Sequence, residues 1–292
     1  MRAATKQDHR QRAKALINET RKSLGLRSLD FPQWLPAVTP QWTWDWPHQL
    51  HLYKALENVT NGTCKRLMIF MPPRHSKSET VTVRYGAYRL EQNPKLNLIL
   101  GCYNQKLANR FSRKTLRIAK QRIDLSMDRK AVEEWETSLG GGLRAVGVGG
   151  GIAGFGGHLI LVDDPVRNRA DAESEVYRDK CWEWFNDDLY TRLEPGGAIV
   201  LTMTRWHDDD LAGRLLKEMD EGGEKWEVVN LPAIAEADDP MGRREGTALC
   251  PARYDETKLL EIQRKLGSYS FAALYQQRPT PLEGALFKRD WF

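Results

Sequence analysis

An α/β fold, with a mostly parallel central sheet flanked by helices, is what three features of this 292-residue sequence predict. From residue 65 onward, short apolar runs of strand length alternate with longer amphipathic segments. The runs Arg66 to Met71, Leu96 to Cys102, His158 to Val162 and Ala198 to Met203 each read as a buried strand. Polar and acidic residues follow several of them at once, at the strand ends where open α/β sheets gather ligands.

The elements follow in order. Residues 1 to about 30 read as a basic helix, with Lys6, Arg10, Arg12, Lys14, Arg21 and Lys22 around a sparse apolar set. Phe31 to Pro47 is a Pro- and Trp-rich connector whose Pro32, Pro36, Pro40 and Pro47 preclude a continuous helix. His48 to Asn58 is helical, with Leu50, Tyr53 and Leu56 at helical spacing. After the first strand comes the loop PPRHSKS, then a helix Ser78 to Gln92 stopped by Asn93-Pro94. The second strand precedes a basic helix, Gln105 to about Ile123. Residues 135 to 148 predict a hairpin through Gly140-Gly141-Gly142, and a glycine-rich connection leads to His158. Asp171 to Leu193 reads as one long helix, Pro195-Gly196-Gly197 as a turn, Asp208 to Glu221 as a helix and Trp226 to Asn230 as a strand. Asp255 to Gln277 is helical after a charged, turn-rich stretch, and 278–292 reads as an extended linker. The expected organisation is a basic extension over 1–35, a core over 36–235, a small lid over 236–277 and the linker.

Composition narrows the function classes. With 41% hydrophobic and 28% charged residues the chain is not broadly disordered. No apolar stretch approaches the roughly 18 residues of a membrane helix, and the N-terminus lacks the apolar region of a secretory signal. The chain is therefore expected to stay in the compartment that makes it. A net charge of +5 permits a nucleic-acid partner without demanding one. Cys64, Cys102, Cys181 and Cys250 lack metal-ligand spacing and read as reduced structural thiols. Four of ten tryptophans (Trp34, Trp42, Trp44 and Trp46) fall in one short stretch.

Three motifs carry chemistry. Met71-Pro72-Pro73-Arg74-His75-Ser76-Lys77-Ser78 is a strand, a loop ending in Lys-Ser and an immediate helix, the arrangement that cradles a triphosphate. Lys77 would reach the phosphate oxygens and Ser78 would ligate Mg²⁺. Met71 and Ser76 stand where the strict pattern has glycine, and an ordinary strand-to-helix turn explains the loop equally well by itself. Asp163 and Asp164 end the third strand, where a first carboxylate holds the metal and a second serves the attacking water; a turn with an Asx cap is the competing explanation. Thr202 and Thr204 end the fourth, placed to sense a γ-phosphate, while Asp208 and its neighbours also suit a helix cap. The ordered combination favours a nucleotide site.

The run YTRLEPGGAIVLTMTRWHDDDLAGRL, with MPPRHSKSE and HLILVDDP upstream and YQQRPTPLEGALFKRDWF downstream, resembles the large terminase subunits of tailed double-stranded DNA phages over about residues 40–292. These are ATP-driven motors that package genomes into proheads. The resemblance implies a RecA-like P-loop NTPase core with ATP and Mg²⁺ as cofactors. It implies nucleotide contacts from Gln49, Arg74, His75, Ser76, Lys77, Ser78 and Glu79, with Gln49 reading adenine. Ser78 and Asp163 would hold the metal, and Arg74, Lys77, Asp164, Thr202 and Thr204 would act in catalysis and coupling. A trans-acting arginine finger is expected for a ring motor; Arg144 and Arg205 are the nearest candidates, since Phe155 stands where many relatives carry arginine before the Asp-Asp strand. Implied partners are double-stranded DNA, the portal and prohead, the small terminase subunit and further copies in a ring, or a monomer in isolation, in the host cytoplasm and with no membrane. The RNase H-like nuclease domain of full terminases is not expected here, so nuclease activity is not either.

Two other readings share these residues. A superfamily 2 helicase needs a second RecA-like domain, for which too little chain follows Asn230. A degenerate fold serving as a DNA-binding scaffold would bind nucleotide without turning it over.

Overall fold

The computed structural model describes residues 29–280, and most of the predicted basic helix and of the linker lies outside them. An eight-stranded sheet runs in the order β3-β4-β5-β2-β6-β7-β1-β8. Its strands are β1 (Arg66–Phe70), β2 (Asn97–Cys102), β3 (Leu125–Lys130), β4 (Glu134–Thr137), β5 (Gly142–Gly147), β6 (Gly157–Asp163), β7 (Leu193–Met203) and β8 (Glu227–Asn230). The six strands from β5 to β8 pair parallel, and the β3-β4-β5 edge is antiparallel.

The apolar strand runs are continuous because both sheet faces are covered. Leu67, Ile69, Leu98, Leu100, Leu159, Leu161 and Val200 belong to one core cluster, and their sequence neighbours Met68, Phe70, Ile99, Ile160, Val162, Ile199 and Leu201 to another. The first face carries α1 (Phe31–Val38), α2 (Pro47–Asn61), the segment Ser78–Gln92 and α4 (Gln105–Arg122). Within Ser78–Gln92, Ser78–Tyr85 is π-helical and runs into α3 (Gly86–Gln92). The second face carries α6 (Glu175–Glu183), the turns that continue it to Arg192, and α7 (Leu211–Asp220).

Three differences from the sequence reading have local causes. The predicted connector contains α1, which starts at an Asp30 cap, tolerates Pro32 in its first turn and buries Phe31, Trp34 and Leu35 in the core. The long helix expected from Asp171 is broken at Ser174, whose hydroxyl accepts the Tyr177 N–H, so α5 (Arg169–Glu173) and α6 are separate. Pro195-Gly196-Gly197 is a bulge inside β7: Gly157 faces Leu193 while Leu159 faces Ala198. The hairpin through Gly140 to Gly142 forms as expected.

Beyond Leu231 a small cluster of Ala233, Ala248 and Leu259 packs under α8 (Glu256–Leu274), which kinks at Gly267. Gln276 and Gln277 tie this segment back. The Gln276 amide bonds the N–H and C=O of Ile234, and Gln277 Oε1 accepts the Arg205 N–H at 3.1 Å. All four cysteines are buried and unbridged. Among the described residues no helix is long and apolar enough to cross a membrane.

Candidate active site

The parallel register brings three strand ends together. Asp163 on β6 faces Thr202 on β7, and Phe70 on β1 faces Met203, so the loop after Phe70 meets both ends. Lys77 Nζ is the point of convergence: it lies 2.8 Å from Asp164 Oδ2 and donates to Thr204 Oγ1 at 2.8 Å, largely out of solvent. Asp164 Oδ1 accepts the Thr204 N–H at 2.8 Å, and the Thr204 hydroxyl donates to the Met71 carbonyl. One short network therefore links the loop, the Asp-Asp pair and the Thr-Met-Thr strand end.

Ser78 and Thr82 lie four residues apart on the π-helical turn and both donate to the Asp163 carboxylate, Ser78 at 2.9 Å. Asp163 is completely buried. Burial, and then the adjacent Asp164 charge, push its carboxyl well above the usual carboxylate range, against the opposing pull of Lys77 and the two hydroxyls.

Backbone strain is concentrated here. Four non-glycine residues among those described have a clearly left-handed φ, and Arg74 (66°), Ser76 (70°) and Asp164 (44°) are three of them. At Ser76 the loop takes the shape that glycine would adopt without strain, so the backbone keeps that shape without the expected glycine.

A cleft of about 510 Å³ opens over the loop, lined by Arg74, Ser76, Lys77, Ser78 and Glu79 of the loop and helix start and by an aromatic part made of Trp42, Thr43 and Trp46 with Arg253. Glu79 is anchored in it by Arg84 at 2.6 Å and by Lys114 from α4.

Several sequence expectations fall elsewhere. The His75 side chain does not line the cleft. It is buried beneath the loop, where its Nδ1 bonds the Pro73 carbonyl at 2.9 Å and its ring meets Tyr254 and His48. Burial is the main cause that lowers both His75 and His48 to about 4, so both rings are neutral at pH 7. Gln49 is also buried and does not line the cleft; its amide caps α2, accepting the Trp46 N–H and donating to the Thr43 carbonyl, each at 3.3 Å. The Thr202 hydroxyl is buried and has no hydrogen-bond partner. Neither finger candidate presents a free guanidinium. Arg144 is held by Glu133 and Glu134, and Arg205 is buried with its Nε 2.9 and 3.0 Å from the two carboxylate oxygens of Asp210. The aromatic end of the cleft was not predicted. The tryptophan cluster was its only sequence signal, and Arg253 gave none.

The hydroxyl and carboxylate oxygens of Ser78 and Asp163 are the hard donors Mg²⁺ prefers, and the described residues hold no group of three or more metal-ligating side chains. That sparse set fits a cation that takes its remaining ligands from phosphate and water.

A family model described as terminase large subunit, T4-like-virus type, N-terminal, matches residues 68–292. No curated protein sequence matches the chain. Among solved structures, the crystal structure of the HK97 bacteriophage large terminase superposes with a TM-score of 0.53 at 11% identity, over 76% of this chain and 48% of that one. A large terminase from a thermophilic bacteriophage, in complex with ADP, gives 0.46 at 9% identity over 81% and 56%. The chain spans about half the length of these two proteins. The HK97 likeness shows a shared fold.

Proposed function

The chain belongs to the terminase large-subunit family, and from that premise we propose that it is an ATPase motor domain, hydrolysing ATP with Mg²⁺ to drive double-stranded DNA into a prohead. The carrying observation is the convergence of Asp164 and Thr204 on Lys77 Nζ. No ordinary strand-to-helix turn needs a buried lysine, an acid from a second strand end and a hydroxyl from a third.

In this reading the backbone N–H groups of residues 74–78 and Lys77 hold the triphosphate. Ser78 and Asp163 would hold the Mg²⁺, which would supply positive charge to offset that of the triphosphate. Once the phosphates draw Lys77 away, Asp164 is free to orient the attacking water and take its proton as the bond to the γ-phosphorus forms and ADP leaves. Loss of the γ-phosphate then changes what Lys77 and Thr204 hold, and the Thr204–Arg205 peptide beyond β7 carries that change to Gln277. Assembly as a ring, contact with the portal and the small subunit, and action in the host cytoplasm belong to the same proposal. Because Arg144 and Arg205 are committed internally, a neighbouring subunit would have to supply its arginine from another position.

Steady-state ATP hydrolysis with Mg²⁺, measured over a wide range of protein concentration, tests this. Turnover is expected to vanish in Lys77→Ala and Asp164→Ala and to rise faster than linearly with wild-type concentration. Undiminished turnover in Lys77→Ala would refute the site.

A further inference from the structure

We propose that the aromatic end of the cleft is a nucleobase-stacking subsite, with Trp42 as its platform and Arg253 as its closing wall, and that it holds a purine by its face and does not read its edge. The inference rests on the nucleotide reading above and specifies how the remainder of the nucleotide is recognised.

Trp42 shares the cleft with Lys77 and Ser78 and is 41% exposed, unusual for so large an apolar side chain. Its indole is supported by its neighbours. The Arg84 guanidinium lies 4.0 Å from its ring and 5.0 Å from that of Trp44, and the two indoles are stacked at 5.5 Å. Arg84 and Trp44 thus both pack on Trp42 and on each other, and hold in place an indole that is still 41% exposed. Arg84 is itself buried and fixed by Glu79 in the loop helix and by the Thr39 hydroxyl, so the platform is rigidly tied to the phosphate end.

The second wall comes from a distant part of the chain. Trp46, backed by the His48 ring, lines the same cleft and carries the exposed Arg253 guanidinium 5.8 Å from its centre. An exposed indole and an exposed cation lining one cleft with a triphosphate cradle match the flat π-surface of a base. Edge recognition is a different matter. Gln49, the amide expected to read adenine, is buried and spends its oxygen and nitrogen on the backbone of Trp46 and Thr43. Stacking tolerates any base and favours the larger purine rings, so adenine and guanine should bind alike.

The test is calorimetric titration of the full chain with ATP, GTP, CTP and inorganic tripolyphosphate. Trp42→Ala is expected to weaken ATP binding at least fivefold and leave tripolyphosphate unchanged, with Trp42→Phe restoring most of the affinity. Arg253→Ala should weaken ATP in the same selective way, and ATP should exceed GTP by less than tenfold while exceeding CTP by more. Unchanged ATP affinity in Trp42→Ala, or an equal loss for tripolyphosphate, would overturn the platform. An ATP preference over GTP of tenfold or greater, abolished in Gln49→Ala, would overturn face-only recognition. A tripolyphosphate affinity indifferent to Lys77→Ala would instead refute the phosphate-loop reading, so the two failures are distinguishable.

Discussion

At the residue scale, the lysine that should grip phosphate and the acid that should serve the water hold each other. That pair competes with the nucleotide, since any phosphate reaching Lys77 must first break a contact of 2.8 Å. Asp164→Asn is therefore expected to cut turnover about a hundredfold or more while ATP binds as tightly or more tightly, which single-turnover kinetics and calorimetry would separate. Arg205 teaches a different lesson. It reads in sequence as a finger candidate because it follows the Thr-Met-Thr end, yet Asp210 is completely buried beside it and also caps α7 through the Gly213 N–H. Arg205→Ala leaves that carboxylate unpaired and should lower unfolding stability by about 3–5 kcal/mol in a chemical denaturation series. Any loss of activity in that variant would report folding, not chemistry.

At the element scale, legibility followed burial. The strands β1, β2, β6 and the apolar half of β7 could be read because both their faces are covered and their apolar runs are unbroken. Leu125–Lys130 could not, because an antiparallel edge strand with the sequence LSMDRK has no apolar run to betray it. The site followed the same rule. Lys77 and Ser78 open the helix after β1, and Asp163, Asp164 and Thr204 lie at or just past strand ends, with type and spacing visible in the chain, whereas Arg253 reaches the cleft only through the packing of a segment 176 positions downstream of Lys77. The side chains of His75 and Gln49 do not line the cleft, because side-chain orientation in a loop or at a cap depends on neighbours that sequence does not order. Helix and sheet also constrain one another closely. A Cβ on Gly147, at the end of β5, would lie 2.3 Å from the Gln105 backbone nitrogen that opens α4. Gly147→Ala should thus cost about 1–3 kcal/mol, seen as a lower denaturant midpoint with unchanged slope.

At the scale of the whole molecule, two neutral histidines stand where the loop, α2 and the C-terminal segment meet. His48 and His75 titrate near 4 in the folded protein, and in the unfolded chain near their ordinary value of 6.5. Burial is the main cause, and Arg243, Arg253 and Lys77 add to it. Between those values the unfolded chain binds more protons, so stability is complete above about 6.5 and is lost as pH falls toward 4. Urea unfolding should show roughly 2 kcal/mol of loss per ring between pH 7 and pH 5, with a shallower dependence in His48→Gln. The tie from Gln277 to the Arg205 N–H, finally, is a mechanical coupling. Gln277 holds a left-handed backbone with φ of 56°, and its amide also grips the Leu274 carbonyl at 2.6 Å, so the strap cannot slacken by simple rotation. The turn that ends α8 is therefore coupled to the peptide next to Thr204. If Thr204 shifts when its lysine changes partners, Gln277 passes that displacement to the end of α8, which follows the site as a follower tracks its cam.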